Sequence, residues 1–324
     1  MLPLPKTGQS DWLASHPHEW AARWLSEPFT LSELSSSVNF VQHLQSEQTQ
    51  LVLRVSHAHR RPLAWLLAES AWLQHLQTQG FDVPRPQLSR HGLWVESSEP
   101  FYAVAFAWAE GQPSTFFDEQ AWGLQEIFEL GRLIGKLHLC AESWEPPAER
   151  RPDWETLHAL PDCDWAPEEA ELLAEFYQTL LLSQSWPRNK ADYGLIHGDI
   201  SPLNLLVRPD ASFTLLDFDD ACYAWYAQDL AGVLFHYLLV KSAHNRRLFL
   251  QKFLPCLLAG YRQERPLESV WEGRMITLLK LHSLWFMLSA AQVLMAQGGP
   301  LTPEVRQTLR TRFGVYQGLE DSLA

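Results

Sequence analysis

Apolar residues are patterned differently in the two halves of the chain. Residues 29–34, 38–44 and 50–55 are short runs rich in strand formers, separated by a serine cluster and by the polar stretch 45–49. Short runs joined by polar links predict an antiparallel meander. Leu63, Leu66, Leu67, Trp72, Leu73 and Leu76 then form an apolar stripe, which predicts a helix over residues 62–79 ended by Gly80. Extended pieces follow at 84–86, 94–96 and 102–108, and Glu110, Gly111 and Pro113 mark a turn. Beyond it the pattern is mostly helical. Ahead of the meander lie Trp12, Trp20 and Trp24, the last two spaced for one face of a packing helix.

The pattern predicts an α+β fold with two lobes. Residues 1–28 are a helical extension, 29–105 a small antiparallel-sheet lobe with one helix, 106–112 a hinge, and 113–324 a large, mostly helical lobe. Residues 141–167, rich in Pro, Trp and acid, read as an irregular connection. The longest apolar stretch, 277–296, is interrupted by Lys280, His282 and Gln292 and reads as a buried helix rather than a membrane span. The N-terminus carries no apolar signal core, so the expectation is a cytoplasmic protein without a membrane partner.

Composition narrows the partners. The chain has 324 residues, 46% hydrophobic and 19% charged, with net charge −13. An acidic protein is repelled by phosphate backbones, which argues against nucleic acid and favours a cationic or neutral substrate. Cys140, Cys163, Cys222 and Cys256 are far apart and form no CxxC pair, so reduced structural thiols are expected. The thirteen histidines form no HExxH or HxxxH zinc pattern. Residues 131–136 are one residue short of a Walker A loop and lack its Ser or Thr.

The helical half is broken by extended segments at 195–199, 205–207 and 213–218. His197-Gly-Asp-Ile-Ser-Pro-Leu-Asn204 places an Asn five residues after Asp199, and Asp217 closes the next apolar run. This is the order of the kinase pattern H-x-D-x-x-x-x-N followed by D-F-x. Phosphoryl transfer needs a group to orient the attacking hydroxyl and oxygen ligands for Mg2+ on ATP. In this reading Asp199 is the base, His197 supports the loop, and Asn204 and Asp217 hold the metal.

With these residues the chain resembles the aminoglycoside phosphotransferase and choline kinase-like superfamily, whose catalytic loop carries Gly where protein kinases have Arg, as Gly198 does here. The resemblance covers about residues 29–261. It implies a protein-kinase-like two-lobed fold. Arg54, in the strand 51–55, corresponds to the phosphate-binding cation, and Glu69 to its helix partner. Gly131-Arg-Leu-Ile-Gly-Lys-Leu-His138 is similar to the family's GxxxGxLH helix, and Asp229 to its anchoring residue. Backbone groups of Phe106, Ala107 and Trp108 correspond to the segment that meets adenine. The Asp217-Phe-Asp-Asp form and the segment 54–60 are similar to bacterial stress response kinases and type II homoserine kinases.

Two departures stand out. Arg54 replaces the usual Lys and is a permanent, two-pronged cation. The loop 35–39 has no glycine, leaving Ser36 and Ser37 as its phosphate-binding groups. Asp219 and Asp220 fit a substrate pocket or a second metal site, and Asp220 fits a helix cap equally well. His138 reads as a satisfied buried histidine rather than a ligand. Gly198, in place of an Arg that would read a phosphorylated loop, implies activity without activation-loop phosphorylation. The expected function is transfer of the ATP γ-phosphate to a hydroxyl of a small molecule or of protein Ser/Thr. The alternative is a pseudokinase or nucleotide-binding scaffold.

Overall fold

Strand β3 (Gln50–His57) has both faces covered, and this organises the first unit. In a strand successive side chains point to opposite faces. Leu51, Leu53 and Val55 point into a core formed with Trp20, Trp24, Leu44, Phe101 and Ala103, whereas Arg54 and Ser56 take the other face. A computed structural model describes residues 16–35, 39–114, 123–160, 165–239, 241, 243–298 and 301–319. They fall into two compact units. One runs to Glu110 and includes Glu145–Arg151; the other comprises Gly111–Trp144 and the chain from Pro152 onward.

In the first unit β1 (Thr30–Ser35), β2 (Phe40–Gln45) and β3 form an antiparallel meander. β6 (Phe101–Ala107) adds on β3, flanked by β4 (Pro86–Gln87) and β5 (Glu96–Ser98), in the order β1-β2-β3-β6-β4 with β5 also on β6. The register sets Arg54 opposite Val41 on one side and Val104 on the other. Helix α2 (Leu63–Thr78) follows β3 and ends before Gly80, whose φ of +82° suits a residue without Cβ. The tryptophan-bearing segment is helical only over α1 (Pro17–Ala21) among the described residues. It continues as a turn, and Trp20 and Trp24 are both buried against the sheet. Packing of the indoles, not helix length, fixes this segment.

The second unit opens differently from expectation. Gly111 makes the turn, but Gln112–Pro113 forms a short edge strand, β7, on β9 (Leu205–Val207), a position Pro tolerates. β9 pairs with β10 (Phe213–Leu215). β8 (Tyr193–Ile196) pairs with β11 (Cys222–Trp225), a strand whose four residues, CYAW, carry no clear alternation in the sequence. Helices α3 (Leu124–Ser143), α4 (Trp154–Leu157), α5 (Pro167–Gln184), α6 (Ala227–Leu239), α7 (Ala243–Glu264), α8 (Val270–Gly298) and α9 (Pro303–Phe313) complete the unit. A Cβ on Gly131 or Gly135 of α3 would strike backbone of α7 at Leu257 or Tyr261, so the small residues let these helices pack closely.

Helix α8 is long and apolar enough to cross a membrane by length and composition. Its Leu278, Leu279, Leu281, Leu284, Met287 and Leu288 are buried, and it packs against α5, α6 and α9.

Candidate active site

The site in the second unit is built on the end of β8 and the open end of the β9–β10 hairpin. Leu205 pairs with Leu215, and the next pair outward is closed by the Leu216 N–H donating to the Asn204 carbonyl at 2.8 Å. That register sets Asn204 and Asp217 at one end of the hairpin. His197 ties this hairpin to the catalytic loop. Its Nε2–H donates to the Leu216 carbonyl at 2.9 Å, and its Nδ1 accepts from the Asp199 N–H at 3.2 Å. The two bonds define one ring tautomer and leave the imidazole with no nitrogen for substrate.

Asp229, in the first turn of α6, holds the loop from beneath. Its carboxylate accepts from the backbone N–H of His197 at 2.9 Å and of Gly198 at 2.8 Å. It also accepts from His138 Nε2 at 3.0 Å. A buried carboxylate requires this number of donors. His138 Nδ1 in turn meets Tyr261 Oη at 3.0 Å, and Arg265 Nη1 donates to that oxygen at 3.3 Å. Burial pulls the His138 ring below its ordinary value, against the opposing pull of Asp229. His138 is a satisfied core histidine that acts through Asp229. Tyr261 and Arg265 had no readable signal, because they lie far along the chain on and just beyond another helix.

Gly198 is required twice over. Its φ is +85°, and a Cβ would run into the Asp220 carbonyl. Asp217 also takes a left-handed backbone, φ +58° and ψ +73°, which is costly for a side-chain-bearing residue and commonly found at functional sites. Its side chain accepts from the Asp219 N–H at the start of the turn Phe218–Asp220. Asp219 is buried in that turn, whereas Asp220 is only half-buried.

Asp199 is gripped at both carboxylate oxygens. Asn204 Nδ2 donates to Oδ2 at 2.9 Å and to the Asp199 main-chain carbonyl at 2.9 Å. His236 Nε2, on α6, lies 3.1 Å from Oδ1. Burial would push this carboxyl up, but the hydrogen bond to His236 and its charge outweigh burial and hold it below the usual carboxylate range. The group therefore stays an anion at neutral pH. His236 was missed from sequence, although a helical position seven residues after Asp229 shares its face.

The residues expected to bind nucleotide lie in the first unit. Arg54 and Glu69 form a two-pronged pair, Nη1–Oε1 3.0 Å and Nη2–Oε2 2.5 Å, with both side chains buried. The Arg54 guanidinium also sits 5.4 Å from the Phe106 ring centre. The Ala107 N–H donates to the Arg85 carbonyl at 2.8 Å and the Trp108 N–H to the Gln50 carbonyl at 3.1 Å. Neither of these N–H groups is open to a base. Trp108 is 42% exposed, with its ring 4.2 Å from that of His43. Ser36 and Ser37 lie outside the described residues.

The donor set at Asn204 and Asp217 is oxygen-based and suits a hard cation. Among the described residues no group of three or more His, Cys, Asp or Glu is placed to hold a metal. Two protein ligands fit Mg2+, which keeps several waters and binds substrate phosphates.

Comparison with known proteins gives the family. The model of the phosphotransferase enzyme family, APH, matches residues 30–267, so the chain belongs to that family. It is a kinase of the aminoglycoside phosphotransferase superfamily, with that superfamily's α+β fold. Amicoumacin kinase of Bacillus subtilis (strain 168) is 26% identical over 260 residues, covering 78% of this chain and 77% of its own length. Homoserine kinase of Gluconobacter oxydans (strain 621H) is 26% identical over 267 residues, covering 80% of each. An amicoumacin kinase solved in complex with AMP-PNP, Ca2+ and Ami has a similar fold, with TM-score 0.84 at 23% identity over 97% of this chain and 96% of that one. A microcompartment-associated aminopropanol kinase gives TM-score 0.75 at 22% identity over 95% and 96%.

Proposed function

We propose that this kinase moves the γ-phosphate of ATP, with Mg2+, to a hydroxyl of a small, amine-bearing molecule. The observation that carries the reading is Asp199, an anionic carboxylate held at both oxygens, by Asn204 at one and His236 at the other. Asp199 orients the acceptor hydroxyl and takes its proton as the phosphoryl group arrives. Asn204 and Asp217 hold Mg2+ through side-chain oxygens; when bound, the ion neutralises charge on the phosphates. His197, Gly198 and Asp229 do not react but keep the loop in shape.

Arg54 takes nucleotide phosphate, oriented by Glu69; a guanidinium shared between carboxylate and phosphate uses its several donors. Ser36 and Ser37 would add phosphate contacts, and Phe106, Ala107 and Trp108 would meet adenine through carbonyls and ring rather than through the two occupied N–H groups. For the acceptor, the relatives' names are those of small-molecule kinases, and two of them, homoserine and aminopropanol, carry both hydroxyl and amine. Net charge −13 and the half-buried Asp220 fit an acceptor bearing an ammonium group better than a protein serine or threonine. We place the protein in the cytoplasm, where ATP is available.

The test compares Asp199→Asn with the native chain, using Mg·ATP and a panel of homoserine, aminopropanol, aminoglycosides and a generic protein. Turnover falls by about two to four orders of magnitude, while the thermal shift caused by Mg·ATP is retained. Equal loss of binding and turnover would remove Asp199 from the base role. Phosphorylation of the protein alone would overturn the small-molecule reading.

A further inference from the structure

Helix α6 carries Asp229 and His236 seven residues apart. At about 100° per residue they lie on one face, two turns or about 10 Å apart along the axis. Asp229 grips the backbone of the catalytic loop at His197 and Gly198, and His236 reaches the side chain of Asp199. One rigid element therefore touches the loop at two levels.

We propose that His236 is a positioning residue, fixing the orientation of the Asp199 carboxylate through its Nε2–H. The proposal rests on Asp199 being the base. An Asp carboxylate turns about a broad, weakly restrained terminal torsion. Asn204 restrains Oδ2 alone. Adding His236 at Oδ1 defines the plane of the group, so the lone pair left for the acceptor hydroxyl points one way. Reacting atoms displaced by a fraction of an ångström lose much of the benefit of a preformed site.

The surroundings fit this role. The His236 side chain is 16% exposed, and its ring is edge-on to Phe286 at 6.3 Å and lies 6.1 Å from His282. Behind it, His282 is 4% exposed and its Nε2 has no hydrogen-bond partner. Burial, with the charge of His236, pulls His282 down to about 3, so at neutral pH it is uncharged and does not compete as a cation with His236 for Asp199. A hydrogen on Nε2 is present in imidazolium and in one neutral tautomer alike, so the grip does not require a charged ring.

Two measurements on the full chain decide it. The first uses no acceptor: in 15N-labelled protein the His236 Nε2 resonance moves when Asp199 is changed to Asn, and an unmoved signal overturns the proposal. The second compares His236→Phe, which keeps the ring volume, with His236→Gln, which keeps a donor. Both are assayed for ATP turnover with each of the panel acceptors and with water. His236→Phe lowers kcat by about tenfold or more with KM for Mg·ATP within about twofold, and His236→Gln recovers most of the loss. In the Asp199→Asn background His236→Phe has no further effect, because it acts through that carboxylate. Wild-type kcat in His236→Phe, or equal losses in the Phe and Gln variants, overturns the proposal. If Asp199→Asn itself turns over normally, the failure lies in the base assignment, and the resonance still reports whether His236 grips Asp199.

Discussion

Asn204 binds Asp199 twice through one nitrogen, its Nδ2 donating to the carboxylate and to the main-chain carbonyl of the same residue at 2.9 Å each. Only the amide NH2 can serve two acceptors, so it is the Asn204 Nδ2, not Oδ1, that meets Asp199, and in the proposed function Oδ1 is the cation ligand. Asn204→Ala removes both functions, whereas Asn204→Asp keeps an oxygen but sets two carboxylates against each other. The expected result for Asn204→Ala is a rise of about ten- to a hundredfold in the Mg2+ needed for half-maximal turnover. For Asn204→Asp, turnover falls at saturating Mg2+. An unchanged Mg2+ titration in Asn204→Ala would remove this residue from the metal site.

Arg54 and Glu69 are both buried and form a two-pronged ion pair. Glu69→Ala takes the two-pronged carboxylate partner from a buried guanidinium and should destabilise the chain by about 3–5 kcal/mol, read by urea denaturation. Arg54→Lys keeps the charge and loses the fork. It should fold better than Glu69→Ala yet raise KM for ATP. A Glu69→Ala chain as stable as the native one would mean that the pair is not what holds Arg54.

Gly198 tolerates no side chain, for reasons of torsion and of space. Gly198→Ala should destabilise the chain by more than about 1 kcal/mol and reduce turnover further than that loss explains, since the loop carrying Asp199 must shift. Thermal melting and initial rates measured together test this. Native-like values for both would show that the loop adapts at no cost.

The pH dependence of stability should contain a signature of His282. Its folded value of about 3 lies below the ordinary 6.5, so the folded ring stays neutral while the unfolded ring takes a proton as pH falls below 6.5. Stability is therefore unaffected above 6.5, declines as pH drops from 6.5 towards 3, and levels off below. At pH 5 the cost is about 2 kcal/mol. His282→Phe removes it, so between pH 7 and pH 5 the native chain should lose about 2 kcal/mol more than the variant in urea denaturation. Parallel losses would place the acid sensitivity elsewhere.

Much of the site was readable because its logic is local. Asp199, Asn204 and Asp217 follow one another along a strand, loop and hairpin, and their spacing reflects the pairing of Leu205 with Leu215. The meander was readable from runs of strand formers, and α2 from its apolar stripe. Less visible was whatever depends on partners distant in the chain. The segment holding Trp20 and Trp24 looked like a long helix, but indole packing on the sheet shortens it to α1 among the described residues. β11 had no pattern of its own and exists because β8 pairs with it.

By itself the sequence determined which groups can do the chemistry, since an oxygen-ligand pair and a carboxylate in a fixed order are covalent facts of the chain. Only the tertiary structure decided how they are held. The Asp229 contacts with His138 and with the loop span 91, 31 and 32 residues, and that of His236 with Asp199 spans 37. The partners at the catalytic loop meet because α6 lies beneath it, an outcome of burying apolar surface that no short motif encodes.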